Sequence, residues 1–166
     1  MNKFRGALLL GAALIPTLGT GADADGVLTV TKHVLSQRLA LEAGEAALAA
    51  CAAANVHAHV VIADATGLMH LLIVSDGSNA ATIDGARRKA YTAALTGRAT
   101  QETAEKLAAN PKMLVPPDPL MLFLAGGIPI RLGNEVIGAI AIGGGLPEQD
   151  AKCAQAGLDK IQSELN

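Results

Sequence analysis

The residues with which this chain can do chemistry are four histidines, a run of cations in a helical stretch, a glycine triplet and two cysteines. His57 and His59 stand two apart in His57-Ala-His-Val-Val-Ile-Ala-Asp64, which puts both on one face of a strand. His70, on an adjacent strand, would supply a third ligand to a metal held there. The same spacing suits a solvated or hydrogen-bonded strand end, and that is the simpler reading. His33 differs, because the sequence places it in the first turns of a helix, on a face shared with Gln37, Ala40 and Gly44. Small neighbours there leave room for a flat ligand, although a surface histidine needs none.

The stretch Gly85-Ala-Arg-Arg-Lys-Ala-Tyr-Thr-Ala-Ala-Leu-Thr96 carries the densest functional signal. Gly85, Lys89, Thr92 and Thr96 recur at helical spacing, which gives a narrow polar face of small residues with a cation and hydroxyl donors that can meet carboxylates. Arg87 and Arg88 flank it. The plainer alternative is that the small residues pack the helix on a sheet while the three cations face water. Gly143-Gly144-Gly145 lies between a strand and a helix, where an anion-binding loop would be. No Lys-Ser or Lys-Thr follows, and Glu148 and Asp150 would repel phosphate. The glycines therefore read first as sites of close backbone approach that can also line a pocket. Cys51 and Cys153 fall in helical segments near opposite ends of the chain, and either a bridge between neighbouring helices or two small buried thiols fits. No serine has a nucleophile signature and neither cysteine has an evident base, so no catalytic set emerges.

The elements that must position these groups follow from periodicity. Thr29 to Ala54 reads as a long first helix, His57 to Asp64 and Leu68 to Val74 as a hairpin turning at Asp64-Ala-Thr-Gly67. Ser78 or Asn79 caps a second helix to about Leu95, ended by Gly97, and Thr100 opens a short third helix stopped by Pro111. Pro116-Pro-Asp-Pro119 admits no regular element. Leu120 to Ala125, Ile128 to Leu132 and Val136 to Ile142 read as three strands, and Pro147 starts a last helix. The expected fold is α/β of the α+β kind, with a five-stranded antiparallel sheet, packed helices and the order α-β-β-α-α-β-β-β-α.

The chain begins with Lys3 and Arg5, an apolar run from Gly6 to about Leu18, and Ala22-Asp-Ala24. That is a basic region, a hydrophobic stretch too short to span a bilayer and a small-x-small cleavage site, so residues 1–24 read as a signal peptide and 25–166 as one domain. The expected location is periplasmic or secreted, with no stable membrane insertion after cleavage near Ala24. The 13 Lys and Arg stand against 15 Asp and Glu. Loss of Lys3, Arg5 and Asp23 leaves a net charge of about −3, and with Tyr91 and Phe123 the only remaining aromatics the chain lacks a nucleic-acid footprint.

Val61-Ile-Ala-Asp64 with Gly67, Asp76-Gly77, Ala86 with Lys89-Ala90 and Thr92-Ala93, Ala125-Gly-Gly-Ile-Pro-Ile130 and Gly138-Ala-Ile-Ala-Ile-Gly-Gly-Gly-Leu-Pro-Glu-Gln-Asp150 occur in an order that resembles the GlcG/HbpS-type haem-binding (haem-degrading) family. That family is also similar to the C-terminal domain of some corrinoid adenosyltransferases. The resemblance implies a profilin-like domain, a homo-oligomer and a haem site at the second helix. Lys89 and Thr92 would lie at that site, Arg87 or Arg88 would pair with the propionates, and Gly143 and Gly144 would line it. His33, or alternatively the Thr92 oxygen, would ligate the haem iron. Ala65-Thr66 departs from the family's usual small-Gly pair, and Gly143 replaces a common Ser. The resemblance leaves two other roles open: a non-haem module for a small organic acid or corrinoid, and an oligomeric scaffold.

Overall fold

A computed structural model describes residues 31–113 and 118–165. The leader expected at residues 1–24 lies outside that range. Four strands, β1 (His59–Asp64), β2 (Met69–Val74), β3 (Gly127–Leu132) and β4 (Glu135–Gly143), form one antiparallel sheet in the order β2-β1-β4-β3. Helix α1 (Gln37–Ala53) precedes the sheet, α2 (Ile83–Thr96) and α3 (Thr100–Ala109) lie between β2 and β3, and α4 (Pro147–Ile161) follows β4.

Alternation along the central strands divides the core into two layers. Val60, Ile62, Ile140 and Ile142 pack with Ala43, Ala47, Cys51, Cys153 and Ala154 of α1 and α4. Val61, Ala63 and Ala141 turn the other way, onto Ala86 and Ala90 of α2. β1 and β4 are covered on both faces, which is why they read as unbroken apolar runs rather than alternating ones. Alanine and glycine allow the helices to come close: a side chain at Gly157 of α4 would meet the Ala43 carbonyl of α1 at 2.5 Å. Across that contact Cys51 and Cys153, with Cα atoms 5.3 Å apart, form a disulfide, resolving the choice between bridge and free thiols.

Two expectations are corrected. The sheet has four strands because Leu120 to Ala125 does not enter a ladder. Its backbone groups are taken by side chains instead: Arg88 donates to Met121 O, Leu122 N donates to Thr92 Oγ1, Thr100 Oγ1 donates to Leu124 O and Lys89 Nζ donates to Ala125 O. Five helix- and loop-borne hydrogen bonds, counting Arg88 to Pro119 O, hold residues 118–126 as a strap across α2 and the start of α3. The first helix also starts later than its periodicity implies. Ser36 has extended backbone and its Oγ accepts from Leu39 N, so α1 is capped there and His33 precedes it.

Candidate functional site

Helix α2 lies over the sheet with Lys89 and Thr92 turned inward beneath the strap. Lys89 is 4% exposed and Asp150 of α4 2%. The Lys89 ammonium donates to Asp150 Oδ2 at 2.7 Å and to Ala125 O at 3.0 Å, while Asp150 Oδ1 accepts from Gly145 N at 2.9 Å. A buried charge is tolerable when it is paired and hydrogen-bonded in this way. The cation expected to meet a ligand carboxylate is thus neutralised by one of the chain's own, and it ties α2, α4, the strap and the glycine loop together.

Thr92 is fully buried. Its Oγ1 donates to Arg88 O and accepts from Leu122 N, both at 2.8 Å. One lone pair of that oxygen remains, but the strap covers it. Arg88 spans the strap from above, with Nη2 on Pro119 O and Met121 O, while its Nε is buried without a partner among the described residues. Arg87 stays at the surface, paired with Asp84 one turn back at 2.8 Å. Of the cationic triplet, then, one member is buried, one clamps the strap and one is solvated.

Tyr91 fastens the strap's first residue: its hydroxyl donates to Asp118 Oδ2 at 2.7 Å. That bond raises the Tyr91 pKa, and the hydrogen bonds from Leu120 N and Tyr91 lower that of Asp118. Beside the strap, Thr96 and Thr103 with Leu107, Met121 and Phe123 enclose a cavity whose rim carries Arg98 and Lys106. The strap's part in the site was missed in the sequence because an apolar run between glycines and prolines looks like a strand. The signal that separates the two is the proline cluster Pro116-Pro-Asp-Pro119 immediately before it in the sequence, since proline lacks the N–H that a strand ladder needs.

His33 stands apart from all of this. It is exposed, and Nδ1 lies 2.6 Å from Glu135 Oε2 at the start of β4. The hydrogen bond from His33 is the chief reason that the Glu135 carboxyl titrates below its ordinary range. Leu35, two residues further on, enters the α1/α4 layer, on the opposite side of the sheet from α2. The structure therefore does not bring His33 together with Arg87, Arg88, Lys89 or Thr92 within one copy. Gly143 and Gly144 serve close approach: a Cβ at the first would meet Thr82 O at 2.8 Å, and at the second, where φ is +131°, His57 O at 2.5 Å. Gly144 also borders an open cleft with His57, Gly77 and Asn79.

The other histidines are structural or solvated. His59 is fully buried, its Nε2 2.7 Å from Asn79 O, and His57 Nδ1 is 2.8 Å from Asp76 O. Register puts His59 opposite Val74 and Ala63 opposite Met69, so His70 sits at the far end of the hairpin. No group of three or more His, Cys, Asp or Glu side chains suited to a metal ion occurs among the described residues.

The chain has clear relatives. Residues 35–159 match the model of the HbpS-like family, described as haem-degrading protein HbpS-like. Protein GlcG of Escherichia coli K12 is 33% identical over 114 residues, spanning 68% of this chain and 83% of GlcG. Among solved structures, a double mutant of Streptomyces reticuli HbpS superposes with a TM-score of 0.74 at 27% identity, covering 93% of this chain and 97% of that one. A PduOC–heme complex shares the fold, with a TM-score of 0.70 at 24% identity over 78% of this chain and 96% of its own. With its family match running from the end of the N-terminal segment into α4, this chain belongs to the HbpS-like family.

Proposed function

We propose that this is an exported haem-binding protein that holds haem for sequestration, sensing or slow degradation outside the cytoplasm. The observation that carries the reading is the family match over residues 35–159; the haem carried by PduOC, a protein of the same fold, is in keeping with it. The leader-like residues 1–24 support export.

The donor set fits the group. A histidine whose Nδ1–H is held by a carboxylate presents Nε2 as the free ligand, and the Glu135 contact gives His33 that arrangement at an accessible position. Thr92 is the alternative, but its oxygen becomes available only when the Leu122 N contact opens. Arg87 can exchange Asp84 for a propionate at little cost, since that pair is exposed. Lys89 contributes through Asp150, by fixing the helix that carries Arg87 and Arg88. Haem, when bound, supplies an iron centre whose potential its axial ligand sets. Because His33 and α2 lie on opposite sides of the sheet, a haem touching both joins two copies, and a homo-oligomer follows from this reading.

The test is a haem titration of the protein lacking residues 1–24, read together with its mass in solution. A saturable Soret shift, weakened by His33→Ala if His33 is the ligand and by Thr92→Ala if the hydroxyl is, is the expected result. A flat titration at micromolar haem overturns the reading.

A further inference from the structure

The cavity between α2, α3 and the strap has a chemistry of its own, and we propose that it binds a small amphipathic monocarboxylate, of the size of one aromatic ring or a short branched chain. The inference stands on this cavity alone and is independent of the haem reading.

Size comes first. The cavity measures about 150 Å³, the volume in which a single benzene ring is accommodated in a protein interior. A porphyrin is several times larger. The walls are Leu107, Met121 and Phe123, so the body of the occupant is apolar. Phe123 is one of only two aromatic residues outside the leader, and it is spent here rather than in the core.

Polarity then sets the orientation. The two hydroxyls in the wall have already placed their protons: Thr96 Oγ1 donates to Thr92 O at 2.7 Å and Thr103 Oγ1 to Ala99 O at 3.1 Å. Thr96 Oγ1 also accepts from Arg98 N at 3.4 Å, so the wall has no hydroxyl proton left over for a carboxylate. The rim is the reverse. Arg98 and Lys106 share one carboxylate, Glu102, at 3.7 and 2.8 Å, so the trio keeps one positive charge in excess. Arg131 adds another near it, donating to Gly97 O and Asn134 O with no carboxylate among its hydrogen-bond partners in the described residues. An acid therefore enters body first, with its carboxylate left at the Arg98/Lys106 rim, where an ion pair with a half-exposed cation keeps its solvation.

Benzoate is the probe, with benzyl alcohol as its neutral match, and binding is followed at low salt by calorimetry and by the NMR shifts of the methionine methyls. Saturable benzoate binding is expected, at least tenfold tighter than that of benzyl alcohol. Arg98→Ala with Lys106→Ala should abolish that preference, and Glu102→Gln should tighten benzoate by a few-fold by freeing both cations. Leu107→Trp, which fills the cavity, should eliminate binding while a thermal melt reports the fold. The proposal is overturned if benzoate fails to saturate, if benzyl alcohol binds equally well, or if Leu107→Trp binds like the parent while folded. A chain that binds benzoate and ignores haem, or the converse, separates this inference from the haem reading.

Discussion

Lys89 shows how a buried cation can hold the elements of a candidate site together from within. By sequence it is one of three adjacent cations; in the structure it is the only one buried, and its partner Asp150 is 61 residues away. Removing one member of such a pair leaves the other as an uncompensated buried charge. Lys89→Ala should therefore cost about 3–5 kcal/mol in urea unfolding, whereas the solvated Arg87→Ala should stay within about 0.5 kcal/mol. Equal effects of the two would mean that the pair is not buried in solution. His33 makes the complementary case. If it ligates haem iron through Nε2, then Glu135→Gln, which keeps the shape but weakens the hold on Nδ1, should lower haem affinity by about 10- to 100-fold with little change in stability. Affinity unchanged in that variant, measured by the same Soret titration, would remove the carboxylate from the ligand's support. That Lys89 and Thr92 sit together was readable from helical spacing. That Lys89 faces Asp150 was not, because nothing local to either residue specifies a contact between the second and the last helix.

Among the elements, the strap is the one whose state decides what α2 can offer. The Tyr91–Asp118 hydrogen bond secures its N-terminal end, and the two groups limit it from opposite sides of the pH scale. Tyr91 titrates above its ordinary value of 10.0, so its contribution is complete below that value and disappears as pH rises through the raised one. Asp118 titrates below its ordinary 3.8, so its contribution is complete above 3.8 and disappears as pH falls through the lowered one. Between those limits the strap is latched. Tyr91→Phe should leave the fold intact, speed hydrogen exchange at Leu122 N and flatten its dependence on alkaline pH; exchange identical to the parent would show that the latch is not what holds the segment. The helices, the hairpin and the last two strands were legible because each carries its own period and its own stops. The fifth strand was a false reading for a physical reason: apolar content and length fit a strand, but the backbone partners come from side chains of α2 and α3, and a sequence window does not contain them. The late start of α1 is subtler, since the Ser36 cap is visible in the sequence yet was outweighed by the apolar repeat running through it.

At the scale of the molecule, the four-stranded sheet divides two unequal layers, and only one of them is stapled. The α1/α4 layer holds the larger cluster and the Cys51–Cys153 bridge, which closes a loop of 102 residues, nearly everything between the first helix and the last. A loop of that length loses much of its unfolded-state entropy when cross-linked, about 4–5 kcal/mol on the chain-entropy view. Both half-cystines are almost wholly buried, Cys51 at 0% and Cys153 at 2% exposure, so a thiol reaches the bridge only when α1 and α4 part. The expected outcome is that dithiothreitol reduces the bridge slowly in buffer and rapidly in denaturing urea, with trapped thiols counted by mass. Cys51→Ala with Cys153→Ala should lose about 2–5 kcal/mol of stability and leave benzoate binding at 25 °C unaltered, because α2 and its strap occupy the other layer. Rapid reduction of the folded protein would mean that the two helices separate readily and that packing does not hold the α1/α4 layer shut. The bridge also bears on the compartment: a structural disulfide is at home where the leader-like N-terminus would send the chain, so its oxidation in protein recovered from cells tests export and stability by one measurement.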